Sequence, residues 1–320
     1  MADTDDVEMA EGGAAAPEPA AAAAAPEEEA LPPLSLDVLS AIKAAQMQNG
    51  LRHADYQRYR QYCTRRLRRV RKNKAVNLRY GRGRGFVKKV IEPGSATDVR
   101  HLFVPLMNAE RAWSYAMQLK QETAEDGGES RRRFHLMRRL AKAHRWSEEL
   151  RALCGARGDD RTALEGEAYA AWMGGNLHLE KENWEEALPA FVTASQIYGR
   201  LAQVGTPDQQ ELLRQRVEEI EPSVRYCKYN LELEAGALGG GDTDALIQML
   251  ATSKGPAQDL LQSKLDAVLA ATRKQHATTR TAVRWLGARV VVRAEGVRMS
   301  LLEAEDARAR KRSPNLPRTF

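Results

Sequence analysis

From Ser35 to about Asn230 the apolar residues recur three or four positions apart, with only short breaks, and that period leaves the chain few options. A 3.6-residue repeat gathers such residues on one side of a helix, and each helix must then bury that side on another. Ser35 stands as N-cap of a first helix carrying Leu39, Ile42 and Ala45, and Asn49-Gly50 closes it. A second helix spans 55–72. The third, about 99–123, aligns Leu102, Leu106, Ala109, Trp113 and Ala116, with Pro105 expected to kink it or mark its true start. The loop Ala124–Glu129 leads to a fourth, about Ser130–Cys154. Two more, about 161–180 and 183–203, are separated by Lys181-Glu182-Asn183. Another covers about 207–220, and Pro222 opens a short one to Asn230.

Gly175, followed by Ala187, Phe191 and Ala194, matches the small and aromatic positions of a tetratricopeptide helix pair. Small residues let two helices approach closely, and the phenyl ring fills the space between them. The predicted fold class is all-α, built of tetratricopeptide-like antiparallel helical pairs. Residues 1–33 contain no Lys or Arg and are predicted to be a disordered acidic Ala/Pro-rich tail. Residues 34–235 form the main helical domain. A joint at Gly236 and Gly239-Gly240-Gly241 leads to a second helical segment, 236–304, with helices near 243–251 and 257–276. Within it the β-branched stretch Ala282–Arg293, centred on Gly287, predicts a short hairpin. Residues 305–320 are read as an unpacked basic tail.

Charge is distributed unevenly. The 320 residues carry a net charge of +6, but the window from Arg52 to Lys89 holds fifteen basic residues and one acid, Asp55, for +14. The rest of the chain is therefore −8. Such a concentration is the footprint of a polyanion. Projected at 100° per residue, helix 55–72 places Tyr56, Tyr59, Cys63, Leu67 and Val70 on one stripe. Arg58, Arg65, Arg69 and Lys72 fall opposite, with Arg68 and Tyr62 beside them, and Arg60, Arg66 and Arg71 flank the stripe. Seven of the nine basic residues from Arg58 to Lys74 are arginine, whose planar fork meets phosphate and guanine edges in pairs. The loop 73–98 adds Lys74, Arg79, Arg82, Arg84, Lys88 and Lys89, with Tyr80 and Phe86 interleaved as stacking planes.

A solvated helix surface or a nuclear-import signal would also use a basic run. Charge this dense and unopposed repels itself at low salt, which weighs against mere solvation. No helix-turn-helix, zinc-finger spacing or basic region with heptads occurs, so structured RNA is favoured over DNA. A regular A-form major groove is too narrow for a helix, and the expected site is a groove opened by an internal loop, bulge or junction. A second basic row, Arg131, Arg138, Lys142 and Arg145, lies beside an expected apolar stripe of Phe134, Met137, Leu140 and Ala141.

The alternative is a helical protein–protein adaptor whose basic helix docks on an acidic partner. A membrane-surface helix is disfavoured because the stripe lacks Trp and Phe anchors. Gly81, Gly83 and Gly85 follow no strand, so they make no nucleotide loop. No catalytic or metal constellation and no cofactor motif is found. Cys63, Cys154 and Cys227 are odd in number and far apart, which suits a reducing compartment, and no run of eighteen uncharged apolar residues occurs. A soluble cytosolic or nuclear protein is expected.

Three runs carry a resemblance: GLRHADYQRYR from Gly50 to Arg60, AERAWSYAMQLKQE from Ala109 to Glu122, and QRVEEIEPSVRYCKYN from Gln215 to Asn230. Over about residues 35–300 the chain resembles the family of 68-kDa subunits of the eukaryotic signal recognition particle. The resemblance implies a tetratricopeptide-like domain binding the particle RNA at a multi-helix junction. It places groove binding and loop remodelling on Arg58, Arg60, Arg65, Arg66, Arg68, Arg69, Arg71 and Lys72. It also implies a non-enzymatic role in co-translational targeting to the endoplasmic reticulum, among other particle proteins. Ribosome and signal-recognition-particle receptor would be met indirectly. The implied location is cytoplasmic, with nucleolar assembly and association with the endoplasmic reticulum through the particle. The family's binding segment for the 72-kDa subunit is expected to lie beyond the end of this sequence, the similarity ending after about Ala304.

Overall fold

The computed structural model describes residues 32–78, 91–125, 130–203 and 206–238. It also describes 263, 266–268, 270, 282–285, 288–291, 296, 297, 300 and 304. The helices are α1 (Val38–Gln48), α2 (Tyr56–Lys72), α3 (Arg100–Glu125), α4 (Ser130–Arg157), α5 (Asp160–Glu180), α6 (Trp184–Leu201) and α7 (Pro207–Leu238). Residues 1–31 of the expected acidic tail and the helices near 243–251 and 257–276 lie outside the described residues, apart from a few helical positions at 263–270.

From α2 onward each helix packs chiefly on its neighbour in chain order. Short connections enforce this. Only Gly158 and Asp159 separate α4 from α5, and only Lys181–Asn183 separate α5 from α6, so each helix must turn back along the last. The result is the stack of helical pairs that the periodicity predicts. Among the described residues a two-stranded antiparallel ribbon accompanies it: β1 (Ala282–Trp285) pairs with β2 (Ala288–Val291), with Trp285 opposite Ala288. This is the expected hairpin; its expected centre Gly287 and the last two positions of the expected stretch, 292 and 293, lie outside the described residues.

The tetratricopeptide-like contact is present. Ala187, Phe191 and Ala194 are buried, and a Cβ placed on Gly175 would lie 2.8 Å from Cδ1 and Cε1 of Phe191. Phe191 is only 1% exposed, so its ring has no room to retreat. Gly175→Ala is therefore expected to lower stability by about 1–3 kcal/mol despite alanine's better helix propensity. Gly155→Ala in α4, where nothing lies within 4 Å, should raise it by up to about 1 kcal/mol. Thermal melts of the two variants must move in opposite directions for the close approach to be structural.

Several boundaries differ from expectation. The N-cap position of α1 is Asp37, not Ser35, because the preceding strand-like segment is held elsewhere. Leu34 N–H donates to the Arg157 carbonyl at 2.8 Å and its own carbonyl accepts from Asp159 N–H at 3.0 Å. Leu36 N–H donates to Thr162 Oγ1 at 2.8 Å. Pro105 does not start α3, which begins at Arg100, whose N–H is accepted by Asp98 Oδ1 at 2.9 Å. Helix α4 runs on to Arg157.

Pro222 does not open a new helix; it lies inside α7. An interior proline costs roughly 3 kcal/mol because it removes one hydrogen bond and crowds the preceding turn. The apolar stripe explains why α7 tolerates it. Leu213, Val217, Ile220, Val224, Cys227 and Leu231 keep one phase across the proline and pack with α6 residues, while Pro222 itself is exposed. Burial of that stripe outweighs the local loss.

Candidate nucleic-acid interface

Helix α2 is tightly delimited. Gly50 sits at φ +112°, where a Cβ would meet the Asp55 carbonyl at 3.0 Å, and Ala54 follows at φ 56°. This turn brings Asp55 to the N-cap, where Oδ1 accepts the Arg58 N–H at 2.8 Å. The single acid of the basic window is thus committed to starting the helix. Arg69, Arg71 and Lys72 occupy the last turn, where cations oppose the negative end of the helix dipole.

One side of α2 is buried as projected: Tyr59, Cys63, Leu67 and Val70, with Tyr56 half-buried and edge-on to Trp113 at 6.2 Å between centroids. Burial of each large apolar side chain contributes roughly 2 kcal/mol to docking. Beneath it lies a polar knot. The Glu110 carboxylate, fully buried in α3, accepts from Tyr59 Oη at 2.7 Å, Tyr169 Oη at 2.7 Å and Gln46 Nε2 at 3.0 Å. One side chain so ties α1, α2, α3 and α5 together. Burial, and next the Glu110 charge, push both phenols well above the usual tyrosine range, so they stay protonated as donors. The Cys63 thiol is raised for the same two reasons in the same order.

The opposite side faces outward. Arg58, Arg65, Arg68, Arg69, Lys72 and Lys74 are exposed, and Arg60, Arg66 and Arg71 are half-buried along the flanks. Arg60 lies 4.3 Å from the Tyr115 ring centroid and Arg66 5.6 Å from that of Phe103. Arg65 Nη2 donates to Gln61 Oε1 at 3.2 Å. Among the described residues, none of Arg58, Arg60, Arg65, Arg66, Arg68 and Arg69 forms an ion pair with a carboxylate. The row is held rigidly at its base and left charged at its tips. Arg79, Arg82, Arg84, Lys88 and Lys89 lie outside the described residues.

The second basic row needs a correction. Phe134 is 59% exposed and Ala141 is exposed too; the buried line of α4 is Leu136, Leu140, Ala143, Ser147, Leu150 and Cys154. The sequence pattern puts the stripe out of phase because Phe134 is apolar yet faces out, beneath Arg138 at 5.6 Å. Rotating the helix accordingly turns Arg139 and Lys142 toward α2. A cleft of about 420 Å³ opens between α2, α3 and α4, lined by Arg60, Gln61, Thr64, Arg65 and Arg68, by Arg111, Ala112 and Tyr115, and by Arg139 and Lys142. Arg111 and Arg139 were not among the residues singled out from the sequence. The only available hint was the Arg138-Arg139 pair, since no local pattern says that α4 lies across α3 from α2.

Among the described residues no group of His, Cys, Asp or Glu could hold a metal, and no helix is long and apolar enough to cross a membrane. All three cysteines are free and buried.

A family model described as RNA-binding signal recognition particle 68 matches residues 51–317, continuing past Ala304, where the resemblance was expected to end. The chain is 40% identical over 277 residues to the signal recognition particle subunit SRP68 of Drosophila melanogaster, covering 85% of this chain and 43% of that protein. It is 41% identical over 204 residues to the Dictyostelium discoideum protein of the same name, covering 62% and 33%. The chain thus spans less than half the length of these curated relatives. A solved structure of the SRP68-RBD from Chaetomium thermophilum is similar with a TM-score of 0.52 and 25% identity, over 61% of this chain and 94% of that one.

Proposed function

The chain belongs to the RNA-binding signal recognition particle 68 family, and on that premise we propose that it is a non-enzymatic scaffold that binds the particle RNA through α2. The carrying observation is the row Arg58, Arg65, Arg68 and Arg69, exposed and without a carboxylate partner among the described residues, on a helix anchored from behind by Glu110. Residues 34–235 serve as the RNA-binding body. Arg60, Arg66, Arg71, Lys72 and Lys74 extend the row, and Arg79, Arg82, Arg84, Lys88 and Lys89 in the Arg/Gly segment follow the backbone beyond the helix. The helix enters a major groove widened at a junction and remodels the internal loop beside it.

In the assembled particle this supports delivery of translating ribosomes to the endoplasmic reticulum, with the other particle proteins as neighbours. The 72-kDa subunit belongs among these partners in the longer family members, and contact with the ribosome and the particle's receptor is indirect. The protein acts in the cytoplasm, at the endoplasmic reticulum through the particle, with assembly in the nucleolus.

Crosslinking the purified chain to cellular RNA and sequencing the bound species tests this. Strong enrichment of particle RNA, with crosslinks at its junction, is expected. Recovery of RNAs in proportion to abundance, or of an acidic protein with no RNA after nuclease treatment, would overturn it.

A further inference from the structure

The exposed face of α2 does not exhaust the basic surface, because the cleft on its flank is charged as well. Six cations line it, Arg60, Arg65, Arg68, Arg111, Arg139 and Lys142, and no carboxylate does among the described residues. They come from three helices, so the arrangement is a product of packing rather than of one basic run. The guanidiniums of Arg60 and Arg139 both lie over the Tyr115 ring, 4.3 and 4.7 Å from its centroid, which holds the two walls of the cleft on a common aromatic floor. Burial, and then Arg111, Arg139 and Arg145, depress the Lys142 amine below the usual lysine value. Like charges have therefore been brought close enough to penalise one another.

Arg65 and Arg68 belong to both the cleft and the outer row, so the two surfaces are continuous. We propose that the cleft between α2, α3 and α4 seats the sugar–phosphate backbone of one strand of the bound RNA, with Arg139 and Lys142 as its far wall. The assignment rests on the RNA-binding function proposed above and adds a second grip to it. Helix α2 is then held from two sides: its outer row meets the groove, while one strand bordering that groove drops beside it into the cleft. Contacts of this kind read phosphate charge and position, not base sequence. Gln61 and Thr64 on the same wall supply neutral polar groups for the non-bridging and sugar oxygens.

The test uses the full chain and a transcript of the particle RNA containing its junction. Affinity is measured across salt concentrations for the wild type, for Arg139→Gln/Lys142→Gln, and for Arg65→Gln/Arg69→Gln. Removing two phosphate contacts should reduce the slope of log K against log salt by about 1.5 and weaken binding about tenfold or more. The charge-preserving Arg139→Lys should keep the slope. If Arg65→Gln/Arg69→Gln loses affinity while Arg139→Gln/Lys142→Gln keeps both wild-type affinity and slope, the cleft assignment fails and the outer row stands. If the wild type itself does not bind, the underlying RNA-binding function fails. A second measurement needs no variant: Lys142 is acylated by a small amine-reactive reagent in the free chain, and RNA should protect it. Unchanged labelling of Lys142 in a saturated complex overturns the assignment.

Discussion

Replacing Arg58, Arg65 and Arg69 together by alanine is expected to weaken binding to the particle RNA about a thousandfold while leaving the helix content and melting temperature essentially unchanged. All three side chains are exposed on the face of α2 opposite its buried stripe. None contributes to the packing of Tyr59, Cys63, Leu67 and Val70, and Asp55 caps the helix through the Arg58 backbone rather than its side chain. Surface changes of this kind alter folding stability by about 0.5 kcal/mol or less. In the proposed complex the same residues serve as charge-assisted donors to RNA. At about 1.4 kcal/mol each, three lost contacts amount to a thousandfold. The salt dependence should fall in parallel, by roughly 2–3 in slope, because fewer counterions are released. Lysine at the three positions should restore the slope but not the full affinity, since a point charge cannot form the paired contacts of a guanidinium. Gel-shift titrations at several salt concentrations decide the matter, and retained wild-type affinity in the alanine variant would remove α2 from the interface.

Glu110→Ala should be the most damaging single change to the fold. Glu110 is fully buried and accepts three hydrogen bonds, from Tyr59, Tyr169 and Gln46. Its removal leaves two hydroxyls and an amide in the core without partners, each costing about 1–3 kcal/mol. A loss of about 4 kcal/mol is expected, a large part of a domain's usual margin of about 5–15 kcal/mol. In a domain of this size that corresponds to a melting temperature lower by roughly 8–16 °C. Tyr59→Phe removes only one donor and should cost about a third as much. The damage should concentrate at α2, whose single buried polar anchor is Tyr59. Trypsin, which cleaves after arginine and lysine, offers a local probe: faster cutting within α2 is expected before global unfolding. A melting temperature within about 2 °C of the wild type would show that the three hydrogen bonds are replaceable.

Much of this is legible in the sequence. The stripe Tyr59, Cys63, Leu67 and Val70 and the outward row Arg58, Arg65 and Arg69 follow from a fixed 100° rotation applied to a strongly amphipathic run. The Gly175–Phe191 contact was legible because a small residue facing a ring has few other uses at that spacing. The phase of α4 is not legible in the same way, because its apolar positions include the exposed Phe134, and a stripe of mixed composition does not define its own centre. Pro222 misled for the opposite reason: its local cost is real, but the apolar stripe on both sides of it belongs to one face.

Which side of each helix is apolar, where the cations accumulate along the chain, and that the product is a helical stack are consequences of covalent order and helical geometry. Residues adjacent in sequence carry that information within a few turns. The knot at Glu110 and the cleft of Arg60, Arg111, Arg139 and Lys142 are different in kind, since each unites side chains from three or four helices. No periodicity specifies such a meeting. It follows from the order in which helices stack and the angle at which each is turned, and those are fixed when all the apolar faces are satisfied together.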